Sequence, residues 1–478
     1  MRAMMWFRAD LRISDNRALA AACNAADEGV LAVFVVSPRQ WEQHDWGPMR
    51  IQFMLRNVRA LAERLADLNI PLLRVDAPTF ADVPQALLTL AQAHHCSALY
   101  FNDEYEVNEL ERDAATEKLF AAKGLAVKRF CDQTVLDVSQ IRTGEDRFYS
   151  VFTPFQRAWR AAFAKQGDAG VVASPRKQRG EPVGVKALEG WRAEGAEEEA
   201  NSRPDLWPGG ELVAQKRLAA FVEERIAAYG DNRDFPGVNG TSIISPYLAV
   251  GAISPRQCVQ AALDANDGQL ERGASGVVKW ISEVVWREFY RHVLIGWPRV
   301  CRNRAFKPET EKIRWEDDER RFEAWAAGRT GIPIVDAGMR QLAQTGWMHN
   351  RVRMIVAMYL AKDLFLDWRR GEAHFMRHLV DGDFASNNGG WQWSASTGTD
   401  AAPYFRIFNP MTQAEKFDPD AEYIRRFVPE LSSLTADQIH TDPDERLWPG
   451  TIDYPRPLVD RAKVRDRVLA EFQRVKGP

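Results

Sequence analysis

Five short apolar runs alternate with amphipathic stretches over the first 130 residues, and this alternation restricts the possible folds more than any other feature. The runs predict strands at residues 4–7, 30–36, 71–75, 98–102 and 126–130, and the stretches predict helices at residues 16–26, 48–68, 81–95 and 106–122. Such alternation favours a doubly wound parallel sheet with helices on both faces. Neither GxGxxG nor GxxxxGK[ST] follows any of these strands, so the common nucleotide-binding motifs are absent.

Beyond residue 130 the pattern changes twice. Residues 131–210 are rich in Gly, Pro and charge and weakly periodic, which predicts a long connector over the surface. From residue 211 onward the periodicity is mostly helical. Helices are predicted at residues 211–229, 255–265, 275–295, 333–345, 350–367, 371–379 and 457–475. The sequence therefore predicts an α/β domain over 1–130, a connector over 131–210 and a mostly α-helical domain over 211–478.

The composition disfavours several classes of protein. A formal net charge of −3 gives no overall basic field, so a nucleic-acid surface would have to be a local patch. The five cysteines are scattered without a CxxC pair, which disfavours disulfides and a zinc site and favours a reducing cytoplasm. The first residues carry charges too early for a signal peptide, and no apolar run has membrane-spanning length. We therefore expect a cytoplasmic protein with no metal and no membrane partner.

Tryptophan is the compositional outlier. The chain has 16 tryptophans, nine of them between Trp280 and Trp393. Packing alone rarely requires so many, because each buried indole N–H needs an acceptor.

The stretch over residues 381–410 combines residue types that suit neither a surface loop nor a core. It holds two acids, two amides, two glycines and two tryptophans: Asp381, Asp383, Asn387, Asn388, Gly389, Gly390, Trp391 and Trp393. The glycines permit positive φ or close backbone approach, and buried acids and amides need partners. A flat ligand with polar edges, held near aromatic rings, would meet these needs. A surface loop with turns and caps is the alternative.

The predicted helix over residues 275–295 carries a polar, aromatic stripe. Its members are Trp280, Glu283, Trp286, Arg287 and Tyr290, spaced to lie on one face. The opposite face is apolar and can anchor the helix. A carboxylate, indoles and a guanidinium on one face suit an aromatic ligand that forms hydrogen bonds. A surface ion pair flanked by half-buried aromatics is the alternative.

A second candidate face lies on the predicted helix over residues 350–367. Trp347, Asn350 and Met354 share this face, and Arg353 beside it could pair with an acid of the 381–410 stretch. His349 has no second histidine at helical spacing, so we expect a structural, hydrogen-bonded role rather than metal binding.

Hydroxyl residues and cations of the second half of the chain suggest phosphate binding. Thr241, Ser242 and Ser245 follow Gly240, and backbone N–H groups after a glycine can hold phosphate; a helix cap is the alternative. Cations interleaved with aromatics suit a nucleic-acid backbone with stacked bases, against a plain solvated face as the alternative. These cations are Arg233, Arg287, Arg291, Arg302, Arg304, Lys307, Arg351 and Lys416. No GxSxG or HExxH motif is present, which disfavours hydrolysis by a side-chain nucleophile.

Taken together, these segments resemble the photolyase/cryptochrome family, specifically its class I cyclobutane pyrimidine dimer DNA photolyases. The motifs are WFRADLRISDN (6–16), YEVNELERD (105–113), FTPF (152–155), RDFPGVNGTS (233–242), WREFYRH (286–292), TGWMHNRVRM (345–354) and the 381–410 stretch. The resemblance covers essentially the whole chain. It implies a Rossmann-like antenna domain, a connector and a helical FAD-binding domain.

The resemblance also implies roles for individual residues. Positions that match FAD-binding ones are Tyr229, Thr241, Ser242, Ile243, Ile244, Ser245, Trp280, Glu283, Arg287, Asn350, Arg353, Asp381, Gly382, Asp383 and Asn387. Positions that match catalytic or lesion-pocket ones are Glu283, Trp286, Asn350, Met354, Asn387 and Trp393. Positions that match DNA contacts are Arg233, Glu283, Trp286, Arg287, Arg291, Asn350, Arg351, Trp393 and Gln413.

The implied activity is light-driven electron transfer from reduced FAD to a flipped-out pyrimidine dimer in DNA. Glu283 is similar to the carboxyl that hydrogen-bonds the dimer carbonyl, and Asn387 to the residue that faces the flavin N5. Trp391, Trp368 and Trp315 are similar to the family's electron-hopping chain. This gives the tryptophan excess a purpose beyond packing.

The antenna positions are similar to those that contact a methenyltetrahydrofolate chromophore. They are His44, Asn108, Glu109, Cys301 and Arg302. Arg302 departs from the lysine expected beside Cys301, and the two side chains differ as donors. A deazaflavin, or no antenna, remains an alternative.

The main rival is a cryptochrome, a signalling photoreceptor with little repair activity. Asn387 argues against a plant-type cryptochrome, in which an acid is expected, and the absence of a long C-terminal extension argues the same way. A (6-4) photolyase is expected to carry a histidine in the pocket where this chain has Asn350 and Met354. A nicotinamide-dependent flavoprotein would need a nicotinamide site, and none is visible. We therefore expect a monomeric DNA-repair enzyme.

Overall fold

A five-stranded parallel sheet forms the N-terminal part of the chain in the computed structural model, which describes residues 1–179, 202–441 and 452–476. The strands are β1 (Arg2–Phe7), β2 (Val30–Val36), β3 (Leu72–Asp76), β4 (Cys96–Asn102) and β5 (Ala126–Phe130). Their order across the sheet is β3-β2-β1-β4-β5, and every neighbouring pair is parallel. All five predicted strands and their parallel arrangement are confirmed.

Side chains of one sheet face meet two helices. Met4 and Trp6 of β1 belong to a buried cluster with Leu99 of β4, and residues 83–91 and Phe120 cover that cluster. Phe7, on the alternate face, is also buried. Burial on both faces explains why these strands are continuous apolar runs in the sequence.

The helices of the N-terminal part follow the predicted pattern, with two additions. They are α1 (Arg17–Ala25), α2 (Pro38–Gln43), α3 (Pro48–Asp67), α4 (Val83–Ala93), α5 (Val107–Ala121) and α6 (Phe152–Gln166). Asn16 caps α1 by accepting a hydrogen bond from the backbone N–H of Leu19, as short polar caps do. Helices α2 and α6 were not predicted, and α6 corrects the prediction that residues 131–210 are an irregular connector. Residues 180–201 of that connector lie outside the described residues.

The rest of the chain is helical. The helices are α7 (Glu211–Glu224), α8 (Tyr229–Asn232), α9 (Ser245–Ala249), α10 (Pro255–Asp264), α11 (Ser275–Gly296), α12 (Glu319–Ala326), α13 (Pro333–Thr345), α14 (Asn350–Met358), α15 (Trp368–His378), α16 (Phe384–Ala395), α17 (Pro410–Phe417), α18 (Glu422–Phe427), α19 (Ala436–His440) and α20 (Arg461–Lys476). The single helix predicted over residues 350–367 is instead α14 followed by a π-helix over Tyr359–Asp363. π-Helical turns are rare in proteins, and those that occur are often found at functional sites.

The polar 381–410 stretch is helical over much of its length. Asp383 caps α16 by accepting from the backbone N–H of Ser386, and Gly389 and Gly390 lie inside the helix. Neither glycine has positive φ. The alternative interpretation, a surface loop with turns and caps, is therefore wrong for the part of the stretch that forms α16.

Contacts between Cα atoms divide the chain into two units. Unit 1 comprises Met1–Ala227 and Ser242–Pro298, and unit 2 comprises Ala228–Thr241 and Arg299–Pro478. The predicted domain limits at residues 130 and 210 stay a prediction. Each unit has its own hydrophobic core; that of unit 2 is built largely from α13, α14 and α15.

The described ranges contain neither a candidate membrane-spanning helix nor a cluster of metal-ligating side chains. No helix in them combines the length and the apolar character that crossing a bilayer demands. No group of three or more His, Cys, Asp or Glu side chains among the same residues is placed to hold a metal ion.

Candidate functional site

The stripe predicted on α11, a helix of unit 1, lies on the less buried side of that helix. Glu283, Trp286 and Arg287 are half-buried, and Trp280 is buried with its Nε1 3.4 Å from Oγ of Ser242. The predicted anchoring face is confirmed, since residues 281, 284, 285 and 289 are all buried. The helix therefore presents a carboxyl and an indole side by side on a rigid support.

Two arginines of α11 are engaged inside unit 1. Arg287 donates to the backbone carbonyls of Gln133 at 2.7 Å and Leu248 at 3.2 Å. Arg291 is 4% exposed and donates to Oε1 of Gln133 at 3.0 Å. Because the Arg291 side chain is buried, the structure does not support the predicted contact between Arg291 and DNA.

The backbone turns sharply just before α9. Ile243 has φ of +48°, in the left-handed region that β-branched residues avoid. A conformation of this kind costs of the order of 1–3 kcal/mol and often marks a binding site. Its neighbour Ser242 is half-buried, Ile244 is buried and Ser245 is exposed.

A second polar cluster in unit 1 surrounds His44. Nε2 of His44 lies 2.9 Å from Nδ2 of Asn108 and 3.0 Å from Nε2 of Gln40, so it accepts from two amides. Burial lowers the pKa of His44 to about 4, which keeps the ring neutral. Glu109 is buried beside it with Oε2 unpartnered, and burial raises the pKa of this carboxyl well above its usual value. Three of the five predicted antenna residues are thus brought together.

In unit 2 the sequence prediction of an Arg353 ion pair is confirmed. Nη2 of Arg353 lies 3.0 and 2.8 Å from the two carboxylate oxygens of Asp381, and Nε donates to the Met348 carbonyl at 2.8 Å. The pair joins α14 to the segment that precedes α16. It fixes the start of the 381–410 stretch.

The amides of α16 form a buried ladder with Glu372 of α15. Asn387 donates from Nδ2 to the Glu372 carbonyl at 3.0 Å, and Asn388 donates to the Glu372 carboxylate at 3.0 Å. Gln392 continues the ladder by donating to Oδ1 of Asn388 at 2.8 Å. Among the described residues, no group donates a hydrogen bond to Oδ1 of Asn387. The hydrogen bond from Nδ2 to Glu372 therefore fixes the direction in which Oδ1 of the same amide points.

The three tryptophans of the predicted electron chain occur in one continuous hydrophobic cluster of unit 2. Trp391 and Trp368 are buried in the cluster, and the half-buried Trp315 packs against it. Trp391 meets Phe375 edge to face at a centroid distance of 5.0 Å, and the structure gives its Nε1 no hydrogen-bond partner. The exposure therefore rises toward Trp315.

Two predicted DNA-binding cations meet at one acid. Arg351 pairs with Asp234 at 2.9 Å, and Arg233 lies 3.7 Å from the same carboxylate. His349 caps α14 by accepting from the backbone N–H of Arg351 at 3.2 Å, which confirms its predicted structural role.

The remaining predicted residues of unit 2 differ in exposure. Buried are Tyr229 and Gly382; half-buried are Thr241, Met354, Asp383, Trp393, Gln413 and Cys301; exposed are Asn350 and Arg302.

Comparisons with known proteins identify the family. The family described as DNA photolyase matches residues 3–176, and the FAD binding domain of DNA photolyase matches residues 280–474. The deoxyribodipyrimidine photo-lyase of Vibrio cholerae is 40% identical, over 99% of this chain and 100% of its own length. The chain belongs to the DNA photolyase family.

Solved structures agree with this membership. A class III photolyase from Agrobacterium tumefaciens matches with a TM-score of 0.87 at 36% identity, over 99% of this chain and 98% of its own. A cryptochrome from Synechocystis matches with a TM-score of 0.83 at 27% identity, over 98% of each chain. The photolyase fold predicted from the sequence, a parallel sheet followed by a mostly helical FAD-binding domain, is confirmed.

Polar groups of the described residues fit FAD, the cofactor in the description of the matching family. Oδ1 of Asn387 could accept from an N–H of a flavin ring, because Nδ2 of the same amide already donates to the Glu372 carbonyl and so fixes its orientation. The unusual backbone at Ile243 lies among hydroxyls that suit phosphate. Sequence reasoning missed Glu372, which orients the α16 amides, and it missed α6. The apolar spacing of Phe152, Phe155, Trp159 and Phe163 was the signal that could have revealed α6.

Proposed function

We propose that this chain is a light-dependent deoxyribodipyrimidine photo-lyase that splits cyclobutane pyrimidine dimers in DNA. The observation that carries the proposal is the match to curated photo-lyases over the full chain, at 40% identity in the case of Vibrio cholerae. The half-exposed Glu283 and Trp286 on one face of α11 support it, because they provide a hydrogen-bonding group and a flat apolar wall together.

Two groups of residues are proposed to bind FAD. The segment over residues 241–245 would bind the phosphates, and the Arg353–Asp381 pair and Asp383 would hold the ribose and ring system. Asn387 would accept from the ring through Oδ1. When bound in its reduced form, FAD supplies the light-excited electron that splits the dimer and receives it back.

The protein side chains would orient and stabilise the lesion. Glu283 would hydrogen-bond a carbonyl of the dimer and stabilise the negative charge that develops there. Trp286, Trp393, Asn350 and Met354 would line the pocket for the flipped-out dimer, which is poorly stacked in DNA and so is extruded at low cost. Arg233, Arg351 and Gln413 would contact the DNA strand. Trp315, Trp368 and Trp391 would carry electrons from the surface toward the cofactor.

A folate antenna fits the cluster around His44. The unpartnered Oε2 of Glu109 suits the N–H groups of a pterin ring, and Asn108 and His44 lie beside it. Antenna roles for Cys301 and Arg302 stay part of the proposal. An absorption spectrum of the native protein distinguishes a folate from a deazaflavin or no antenna.

The class I assignment, a monomeric state and a cytoplasmic location are part of the same proposal. Asn387 argues against a plant-type cryptochrome, and Asn350 and Met354 argue against a (6-4) photolyase. The Synechocystis cryptochrome is a structural relative at 27% identity, so blue-light signalling with little repair is the alternative function.

The deciding experiment exposes purified protein and dimer-containing DNA to blue light and to darkness. We expect a bound flavin and loss of dimers in the light alone. Equal loss in light and dark, or no loss in either, contradicts the proposal. Bound flavin without repair favours the signalling alternative.

A further inference from the structure

Two hydrogen bonds join helix α6 to α11, close to the stripe that carries Glu283 and Trp286. Gln156 of α6 donates to Oγ of Ser282 at 2.7 Å, and Trp159 donates to Oε1 of the buried Glu288 at 2.9 Å. These bonds hold two helices that are far apart in the chain but both belong to unit 1. The position of α6 relative to the stripe is therefore well defined.

The first residue of α6 stacks on Trp286. The ring centroids of Phe152 and Trp286 are 3.6 Å apart and the planes differ by 9°, so the rings lie face to face at van der Waals distance. Phe289 meets the indole edge to face at 5.6 Å, and Tyr290 lies tilted at 5.7 Å. Phe152 itself is 6% exposed. Since Phe152 covers one face of the half-buried indole, a ligand that stacks on Trp286 would have to use the opposite face.

We propose that Phe152 is a positioning residue for damage recognition: it fixes the Trp286 indole as a preformed wall for the flipped-out dimer. This inference rests on the proposed repair function. A free tryptophan side chain would have to be ordered when the lesion binds, and this loss of rotamer freedom would weaken binding. An aromatic partner adds a stacking contribution. The stack therefore favours lesion binding without touching DNA.

The test compares Phe152→Leu with Phe163→Leu. Phe163 is also on α6, is also buried, and stacks on Trp159 at a centroid distance of 5.1 Å, so it is a matched control for loss of an aromatic pair. Phe152→Tyr retains the aromatic face and is the conservative variant. Binding to a dimer-containing duplex and to the same undamaged duplex is measured in the dark, and KM and kcat for repair are measured in light.

We expect Phe152→Leu to raise Kd and KM for the dimer about 3- to 10-fold, with kcat and the Kd for undamaged DNA unchanged. Phe152→Tyr should restore both values, and Phe163→Leu should leave discrimination at the wild-type level. Equal discrimination in all variants overturns the positioning role. Equal loss in Phe152→Leu and Phe163→Leu shows a general structural role and overturns it as well. A wild-type protein that neither prefers nor repairs dimers overturns the proposed function itself, and this inference with it.

Discussion

Gly371 of α15 lies so close to Trp391 of α16 that a Cβ built on residue 371 would be 2.1 Å from Cη2 of the indole. Trp391 is buried against Phe375 and cannot move aside freely. Residue 371 is therefore a glycine because Trp391 leaves no space for a side chain, and not because the backbone needs a conformation that only glycine adopts.

Gly371→Ala should destabilise the protein by about 1–3 kcal/mol, because overpacking displaces Trp391. It should also slow photoreduction of oxidised flavin. The matched control is Gly390→Ala in α16, where an added Cβ meets nothing within 4 Å. That change should stabilise by about 0.5–1 kcal/mol, since alanine is the better helix former. Thermal unfolding and photoreduction rates check both, and wild-type stability in Gly371→Ala would refute the packing argument.

Trp315→Phe should slow flavin photoreduction at least about tenfold, a barrier increase of about 1.4 kcal/mol or more, because phenylalanine is much harder to oxidise than indole. Repair by enzyme that has been reduced chemically beforehand should stay near the wild-type level. Flash photolysis and dimer loss give the two readouts, with Trp297→Phe, outside the cluster that contains Trp391, as the control. If repair by pre-reduced enzyme also collapses, the relay assignment of Trp315 is wrong.

Glu283→Gln should lower the repair yield per absorbed photon about 10- to 150-fold while FAD remains bound, since a hydrogen bond from or to a charged group contributes about 1.5–3 kcal/mol and about 1.4 kcal/mol corresponds to a tenfold change in rate. Flavin content by absorbance and repair yield by loss of dimers are measured on one preparation. The exposed Glu223→Gln on α7 is the control. An unchanged yield removes Glu283 from the proposed mechanism.

His292 should make the stability of the protein depend on pH. The ring is fully buried, and neither of its nitrogens has a hydrogen-bond partner among the described residues. Burial lowers the pKa of His292 to about 3, with Arg142 lowering it further and Asp137 opposing. The unfolded chain takes up the proton below about pH 6.5 and the folded protein does not. Stability is therefore complete above pH 6.5 and falls as the pH drops toward 3, by about 1.4 kcal/mol per unit.

His292→Leu should remove this dependence. Between pH 7.5 and 5.0 the wild type should lose about 2 kcal/mol more of its unfolding free energy than the variant does. Urea unfolding at the two pH values measures the difference, and the exposed His95→Asn is the control. Parallel pH profiles for wild type and His292→Leu would show that another group governs acid stability.

The sheet could be predicted from the sequence because its strands are buried on both faces and so appear as continuous apolar runs. Helix α16 could not, because its buried side is made of amides as well as tryptophan. The Nδ2 groups of Asn387 and Asn388 donate to Glu372, a partner in another helix, so hydrophobicity along α16 carries no helical period. The sequence showed unusual chemistry at this point but not its secondary structure.

The candidate site shows the same division. The Arg353–Asp381 pair was predictable because opposite charges among apolar residues require each other. The stack of Phe152 on Trp286 was not, because it depends on where α6 packs, and no local pattern encodes that tertiary contact. Sequence motifs were enough to predict the candidate site residues. The residues that hold them in place could be recognised only from the packing of the structure.

The unpartnered N–H of Trp391 restricts which amino acids could replace it. An oxidised phenol must give up its proton to a neighbouring base, and no described side chain accepts from this position. An indole can lose an electron and keep its proton, so it works in such a dry setting. Tyrosine would fit the space at residue 391, but it could not be oxidised there because no base takes up its proton. The requirement for tryptophan at this position is therefore one of proton chemistry and not of size.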